Sequence, residues 1–329
     1  MTAIAPHVTA FLRERLPKQR AASQHTCDTY AYALKLLFEY AGGRLKLTPS
    51  SLAVEQLDAT LILGFLDHLE RDRGNSPSTR NARLAAIKSF MKFLEHRETA
   101  LLDQVHRVMA IPAKRTDQKL VGYLTTTEVE AVLNVPSPET RIGLRDRAMI
   151  HLCYGAGLRV TELVTLPLAA VTLHAEPAVR VIGKGRRERC LPLWKQVVAD
   201  VRAWVKVRGD VPASELFVNA RGGPMTRAGF EYVLHQHVAA AAAGCPSLIA
   251  KSVTPHVLRH TCAMTILQAT GDLRKVSLWL GHADMKTTQI YLRADPTEKI
   301  GAVESVVPLS LRRGRFRAPD KLIASLMGR

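Results

Sequence analysis

The sequence predicts a mainly α-helical protein of two domains, the second mostly helical with a small antiparallel sheet. Three observations lead there. A chain of 329 residues suits two domains, and 47% hydrophobic residues suffice for a core in each. Through the first hundred residues, apolar side chains recur at spacings of three and four, the period of one helix face. Residues 178–193 are the one stretch where strand alternation surrounds a glycine-rich turn.

The elements follow in order. Residues 26–40 carry Tyr30, Leu34, Leu37 and Phe38 on one stripe, and Gly42-Gly43 is expected to end that helix. A second helix follows Asp58, turns Leu61, Phe65, Leu66 and Leu69 inward, and closes at Gly74-Asn75. A third follows Ser76-Pro77-Ser78 and buries Leu84, Ile87, Phe90, Met91 and Leu94. Arg80, Arg83, Lys88 and Lys92 are expected on its remaining surface, where they are candidates for contacts to a phosphate backbone. Residues 1–112 thus form a helical domain, and the polar, basic, proline-interrupted segment 113–123 reads as a linker.

Residues 124–300 make the second domain. Thr125-x-x-Glu128 is a capping box that opens its first helix. The helix over 141–154 runs into Gly155-Ala156-Gly157, a turn that sets Arg159 at the start of the next helix. In the strand pair, Val179 and Val181 alternate with polar neighbours, Gly183-Lys184-Gly185 turns the chain, and Arg189-Cys190-Leu191 returns. Helices are expected beyond it at 196–207, 226–243, 257–269, 272–280 and 286–292. Residues 301–329 are a basic tail.

Charge narrows the partners. Lys and Arg number 46 against 29 Asp and Glu, a formal net charge of +17. Such an excess is self-repulsive in a folded chain and points to a polyanion. No apolar run approaches the roughly 20 residues that span a bilayer, and no signal-peptide pattern opens the chain, so a cytoplasmic, nucleoid-associated protein without a membrane partner is expected. The five cysteines are scattered and form no C-x-x-C pair, which argues against a disulfide framework or a zinc site. Cys153 and Cys262, in apolar helical contexts, read as small core residues.

The chemistry-bearing groups are Arg159, Lys184, His256, Arg259, His282 and Tyr291. Cleaving a phosphodiester demands positioning and preorganised positive charge, because an anion repels nucleophiles and an alkoxide leaves poorly. Guanidinium groups suit the non-bridging oxygens, since each donates two parallel hydrogen bonds. Arg259, three residues after His256, shares a helix face with it. A phenol such as Tyr291 can attack phosphorus once ionised. With a reference pKa near 10, that costs about 4 kcal/mol at pH 7 unless cations or a base intervene. His256 and His282 are candidates for that base, and Lys184 for the acid that protonates the leaving 5′-oxygen.

This set, in this order, resembles the tyrosine recombinase (phage-integrase) family. Gly157-Leu158-Arg159-x-x-Glu162-Leu163 is similar to the family's first box, Lys184 matches its hairpin lysine, and His256-x-x-Arg259-His260 matches the His-x-x-Arg-His box. Leu280-Gly281-His282 and Tyr291 match the remaining box and the nucleophile, while Ser78-Thr79-Arg80-Asn81 resembles the entry to the third helix of a SAM-like core-binding domain. The resemblance implies a helical core-binding domain and a catalytic domain with a small antiparallel sheet. It implies strand exchange between duplexes through a 3′-phosphotyrosine and a Holliday junction, with no cofactor and no metal. The implied partners are double-stranded DNA and a homotetramer on paired sites, with or without a second recombinase. Arg186 and Arg187 beside the hairpin lysine are further candidates for DNA contact. The length and basicity of the tail favour a mobile-element recombinase, in integration, excision or transposition, over a chromosome-dimer resolvase. The tail's apolar face of Leu322, Ile323, Leu326 and Met327 is expected to dock on a neighbouring protomer. Two other readings stay open: a DNA-binding accessory protein that does not cleave, and a topoisomerase that nicks and closes DNA.

Overall fold

The computed structural model describes residues 2–117, 121–183, 188–282 and 285–294, without the side chains of Lys286 and Arg293. Lys184, Arg186, Arg187 and the tail 301–329 lie outside the described residues. The chain divides into two compact units, Met1–Gln118 and Lys119–Arg329.

The first unit is helical: α1 (Ile4–Ala10), a π-helix (Phe11–Gln19), α2 (Gln24–Leu45), α3 (Ala59–Arg71), α4 (Pro77–Leu94) and α5 (Leu102–Met109). Its core gathers Phe11, Leu34, Leu37, Phe65, Leu66, Ile87 and Phe90. The stripe expected on α3 is inward at Phe65, Leu66 and Leu69, and Asp58 caps the helix by accepting from the Leu61 N–H at 2.7 Å. One boundary differs. Gly42-Gly43 does not end α2, which continues to Leu45 and closes at Lys46 in the left-handed region. Gly42 serves a close approach instead: a Cβ there would sit 2.7 Å from the Leu47 carbonyl oxygen of the returning chain.

The basic face expected of α4 is corrected as well. Arg80 is buried and donates from Nη1 to the Pro112 carbonyl at 3.0 Å, while Lys88 donates to the carbonyls of Met109 (2.7 Å) and Ile111 (2.6 Å). Arg83 lies over the Tyr32 ring, 4.9 Å from its centroid. Asn81 exchanges hydrogen bonds with the backbone of Lys114 at 2.8 and 3.0 Å. These side chains strap the chain leaving α5 onto α4, because the last carbonyls of a helix have no partner within it. Of the four cations predicted for that surface, Lys92 is the exposed one.

The second unit runs α6 (Thr126–Leu133), α7 (Arg141–Gly155), α8 (Val160–Val164), β1 (Val171–Thr172), β2 (Ala178–Ile182), β3 (Glu188–Pro192), α9 (Lys195–Arg208), α10 (Arg227–Ala241), α11 (Pro255–Thr270), α12 (Leu273–Leu280) and α13 (Gln289–Ala294). The predicted capping box is present, with Thr125 and Glu128 each accepting from the other's backbone N–H. Helix α7 is buried along most of its length, and Cys153 and Cys262 are fully buried core residues. The sheet is antiparallel in the order β1-β2-β3, with Val179 opposite Leu191 and Val181 opposite Arg189. Strand β1 has only two residues, too short for its alternation to be seen in the sequence. Among the described residues no helix is long and apolar enough to cross a membrane.

Candidate active site

The site assembles where α8, β3, α11, α12 and α13 meet, and its organising group is a buried carboxylate. Arg159 ends the turn after α7 and stands at the N-cap of α8, where Glu162 Oε2 accepts from its backbone N–H at 2.9 Å. The same carboxylate takes Arg159 Nη1 at 2.8 Å and both terminal nitrogens of Arg189, at 3.0 and 2.8 Å. Arg259 Nη1 lies 4.0 Å from it. Burial alone would raise the Glu162 carboxyl, but the hydrogen bonds and charge of Arg189 and Arg159 bring it down to about 2.

Arg259 is buried, yet its guanidinium is well supplied with acceptors. Nη1 donates to the Gly157 carbonyl and Nη2 to the Leu280 carbonyl at 2.6 Å. Two of its five donors are thus committed to the backbone of the two turns that precede Arg159 and His282. Burial, and then the charge of Arg159, lower it to about 10, which leaves it cationic at neutral pH. Gly157 sits at φ +59, and a Cβ there would lie 2.8 Å from Leu280 Cδ2 and 3.1 Å from Cys262 Sγ, so glycine is needed both for the turn and for the packing.

Tyr291, on α13, is 1% exposed. Its hydroxyl is 2.9 Å from Nδ1 of His260, and its ring stacks at 8° on His282 with centroids 6.4 Å apart. Burial pushes the phenol up to about 12, against the opposing pull of Arg259. Burial likewise holds His260 down to about 4, helped by His256 and Arg259, and His282 down to about 4, helped by Arg259 and Arg159. His282 Nδ1 is paired with the Thr288 hydroxyl at 2.8 Å, which fixes its ring against α13.

Both imidazoles stay neutral in the folded chain down to about 4, whereas an unfolded histidine takes up its proton near 6.5. Between those values the unfolded state binds more protons, so this contribution is complete above 6.5 and is lost as the pH falls to 4. The melting temperature is therefore expected to drop across this window, and to drop less in the His260→Gln/His282→Gln variant. An equal decline in both proteins would remove these histidines as its source.

The matches to known proteins follow the same division of the chain. The phage integrase family matches residues 122–298, and the phage integrase N-terminal SAM-like domain matches residues 8–98. The chain belongs to the phage integrase family. It is similar to a Sinorhizobium fredii protein provisionally named integrase/recombinase y4rC, 42% identical over 98% of this chain and 97% of that protein. It is also similar to the tyrosine recombinase XerC of Myxococcus xanthus, 32% identical over 88% of this chain and 94% of that one. Among solved structures, the XerH site-specific recombinase bound to palindromic difH substrate, a post-cleavage complex, shares the fold. Its TM-score is 0.67 at 23% identity, over 89% of this chain and 83% of that one.

Of the six residues singled out in the sequence of this integrase-family chain, Arg159, Arg259, His282 and Tyr291 come together. Lys184 lies outside the described residues. His256 is exposed, and no hydrogen bond holds it among the described residues. The imidazole on the Tyr291 hydroxyl is that of His260, one residue beyond Arg259 and four beyond His256 on the same face of α11. Two further participants escape motif reading: Arg189 and Thr288. The one available signal is at Arg189, a charge placed on the inward face of β3 beside Leu191.

Proposed function

We propose that this member of the phage integrase family is a site-specific DNA recombinase that cuts and rejoins DNA through a 3′-phosphotyrosine. The carrying observation is the Tyr291 hydroxyl on His260 at 2.9 Å, beside an arginine group gathered on Glu162. In this reading Arg159 and Arg259 bind the non-bridging oxygens of the scissile phosphate and stabilise its extra charge in the transition state. His282 adds a donor on the same side. Tyr291 attacks phosphorus, the bond to the 5′-oxygen breaks, and Lys184 supplies the proton that the departing oxygen takes.

The nucleophile's proton has a nearby destination. Ionising a phenol at about 12 in a medium of pH 7 costs about 7 kcal/mol. His260 Nδ1, neutral and within hydrogen-bond distance, can accept the proton as the bond to phosphorus forms. His256 takes a different place in this account, as an exposed cation or donor toward the DNA backbone. Because Tyr291 is almost fully buried, α13 must shift before the hydroxyl meets a phosphate. Coupling that shift to assembly would suit a homotetramer on paired sites, with the tail 301–329 as the docking segment.

Arg186, Arg187 and Lys92 are assigned to phosphate contacts, whereas Arg80 and Lys88 already hold backbone carbonyls and Arg83 lies on Tyr32. Affinity for DNA should fall steeply with salt. If about six to ten phosphates are contacted, roughly 10³–10⁵ in affinity disappears between about 50 and 200 mM. A flat salt profile in a titration would contradict the assignment.

The test of function is a search of the DNA flanking the chain's own gene. Footprinting should reveal a protected site, and a plasmid carrying two copies should undergo deletion or inversion. Relaxation of plasmids that lack the site, with no exchange between sites, would favour the nicking-and-closing reading instead. Excision of the flanking element would place the protein with mobile elements rather than with chromosome resolution.

A further inference from the structure

Arg189 belongs to none of the motif boxes, yet it joins three parts of the site. It lies on β3 opposite Val181, on the face that also buries Leu191, and its side chain is 10% exposed. An arginine at that register needs a strong partner, and Glu162 supplies one in a two-bond, fork-to-fork pairing at 3.0 and 2.8 Å. Through the same carboxylate it is linked to the backbone N–H and the guanidinium of Arg159. Its aliphatic stem meets the other side of the site. Gly281, at φ +63, has room for no side chain, because a Cβ would lie 3.0 Å from Arg189 Cδ and 3.3 Å from Nη1. Arg189 therefore abuts the residue immediately before His282.

It also stands at the base of the hairpin. Ile182 pairs with Glu188, so residues 183–187 connect β2 to β3, and Lys184 belongs to that connection. Two residues of tight β-pairing and one bidentate ion pair thus fix the frame from which Lys184 operates. A lysine is a flexible point donor, and a small shift in its base moves the ammonium out of line with the leaving oxygen.

We infer that Arg189 is a positioning residue, which registers the β2–β3 hairpin and its Lys184 against Arg159 by gripping Glu162 and Gly281. The inference rests on the recombinase reading above and on Lys184 as the acid for the 5′-oxygen. It differs from a purely structural ion pair in one respect: loss of Arg189 should damage protonation of the leaving group more than stabilisation of the phosphorane charge.

The leaving atom distinguishes the two. A suicide substrate with an ordinary 5′-oxygen at the scissile bond needs a proton for departure. The same substrate with a 5′-bridging sulfur does not, since a thiol ionises near 8.5. Single-turnover cleavage would be followed on both substrates for the wild type, Lys184→Ala, Arg189→Gln and Arg189→Lys, with melting temperature and DNA affinity recorded for each. Lys184→Ala should be slow on oxygen and restored on sulfur. Arg189→Gln should be slower on oxygen by on the order of tenfold to a hundredfold, part of what a positioned acid contributes. On sulfur it should return to within about threefold of the wild type, by the same dependence on a proton donor. Arg189→Lys keeps a cation beside buried Glu162 and so guards against loss of folding; it should lie between the two on oxygen and match the wild type on sulfur.

Equal slowing of folded Arg189 variants on both substrates would overturn the inference, as would wild-type rates on both. If instead the wild type forms no adduct, the recombinase reading falls. If Lys184→Ala gains nothing from sulfur, the acid assignment falls and the Arg189 inference falls with it.

Discussion

Tyr291→Phe should abolish covalent protein–DNA adducts while changing DNA affinity by no more than a few fold. The substitution deletes one oxygen from a ring that is 1% exposed and stacked on His282, so packing around α13 is kept. The bond lost is the hydroxyl's pairing with His260 Nδ1, a net contribution of about 1 kcal/mol to stability. The phenylalanine variant should therefore fold, bind and protect its site. Chemistry is another matter, because no other group is placed to attack: His260 and His282 are held against Tyr291 and Thr288. A DNA substrate nicked close to the cleavage position should trap the wild type as an adduct that survives denaturation, joined to the 3′ end. Normal adduct yield from the variant would remove Tyr291 from the mechanism. A second variant, His260→Gln, should still form the adduct but more slowly, and its defect should shrink as the pH rises toward ionisation of the phenol.

How the sequence led to this site, and where it stopped, follows from which forces each residue reports. Periodicity on α3 and α4 discloses the apolar face because burial of Phe65, Leu66, Ile87 and Phe90 is what drives those helices together. The capping box at Thr125 and Glu128 is legible because it is a local exchange of hydrogen bonds within four residues. The cations of α4 were not legible. Arg80 and Lys88 occupy polar positions in the helical pattern, but the carbonyls of Met109, Ile111 and Pro112 claim them, a contact made more than twenty residues away. Gly42 shows the same limit, since a helix-ending glycine and a glycine beneath a passing carbonyl read alike in sequence.

In the site, motif order identified the arginines and the tyrosine, but not the imidazole that touches it. His256 and His260 share one face of α11, one turn apart, and only burial decides between them. His260 lies deeper, against α13, while His256 remains exposed at the helix start. Arg189 is similar. Its role depends on Glu162, twenty-seven residues earlier in the chain, and no local pattern announces that pairing.

Arg259→Ala should carry a double loss, in cleavage and in stability, and the two are separable. Removing one preorganised donor from a transition state typically costs on the order of a hundredfold or more in rate. Here the same change strips a donor from the Gly157 and Leu280 carbonyls, and leaves each of these buried acceptors short of about 1–3 kcal/mol. The melting temperature should drop accordingly, and the turns that place Arg159 and His282 should loosen. Arg159→Ala makes the contrast. Its side chain is 30% exposed, and Glu162 keeps both hydrogen bonds to Arg189, so cleavage should fall comparably with a much smaller change in melting. Arg259→Lys completes the set: the charge remains, but one ammonium cannot serve two carbonyls and a phosphate in the geometry of a planar fork. It should melt closer to the wild type than the alanine variant and still cleave at least about tenfold more slowly, because the transition-state donor is misplaced rather than absent. All rates would be taken in single turnover, well below the lowest melting temperature. Near-normal cleavage by Arg259→Ala under those conditions would mean that the buried guanidinium only braces the two turns, and that Arg159 alone meets the phosphate.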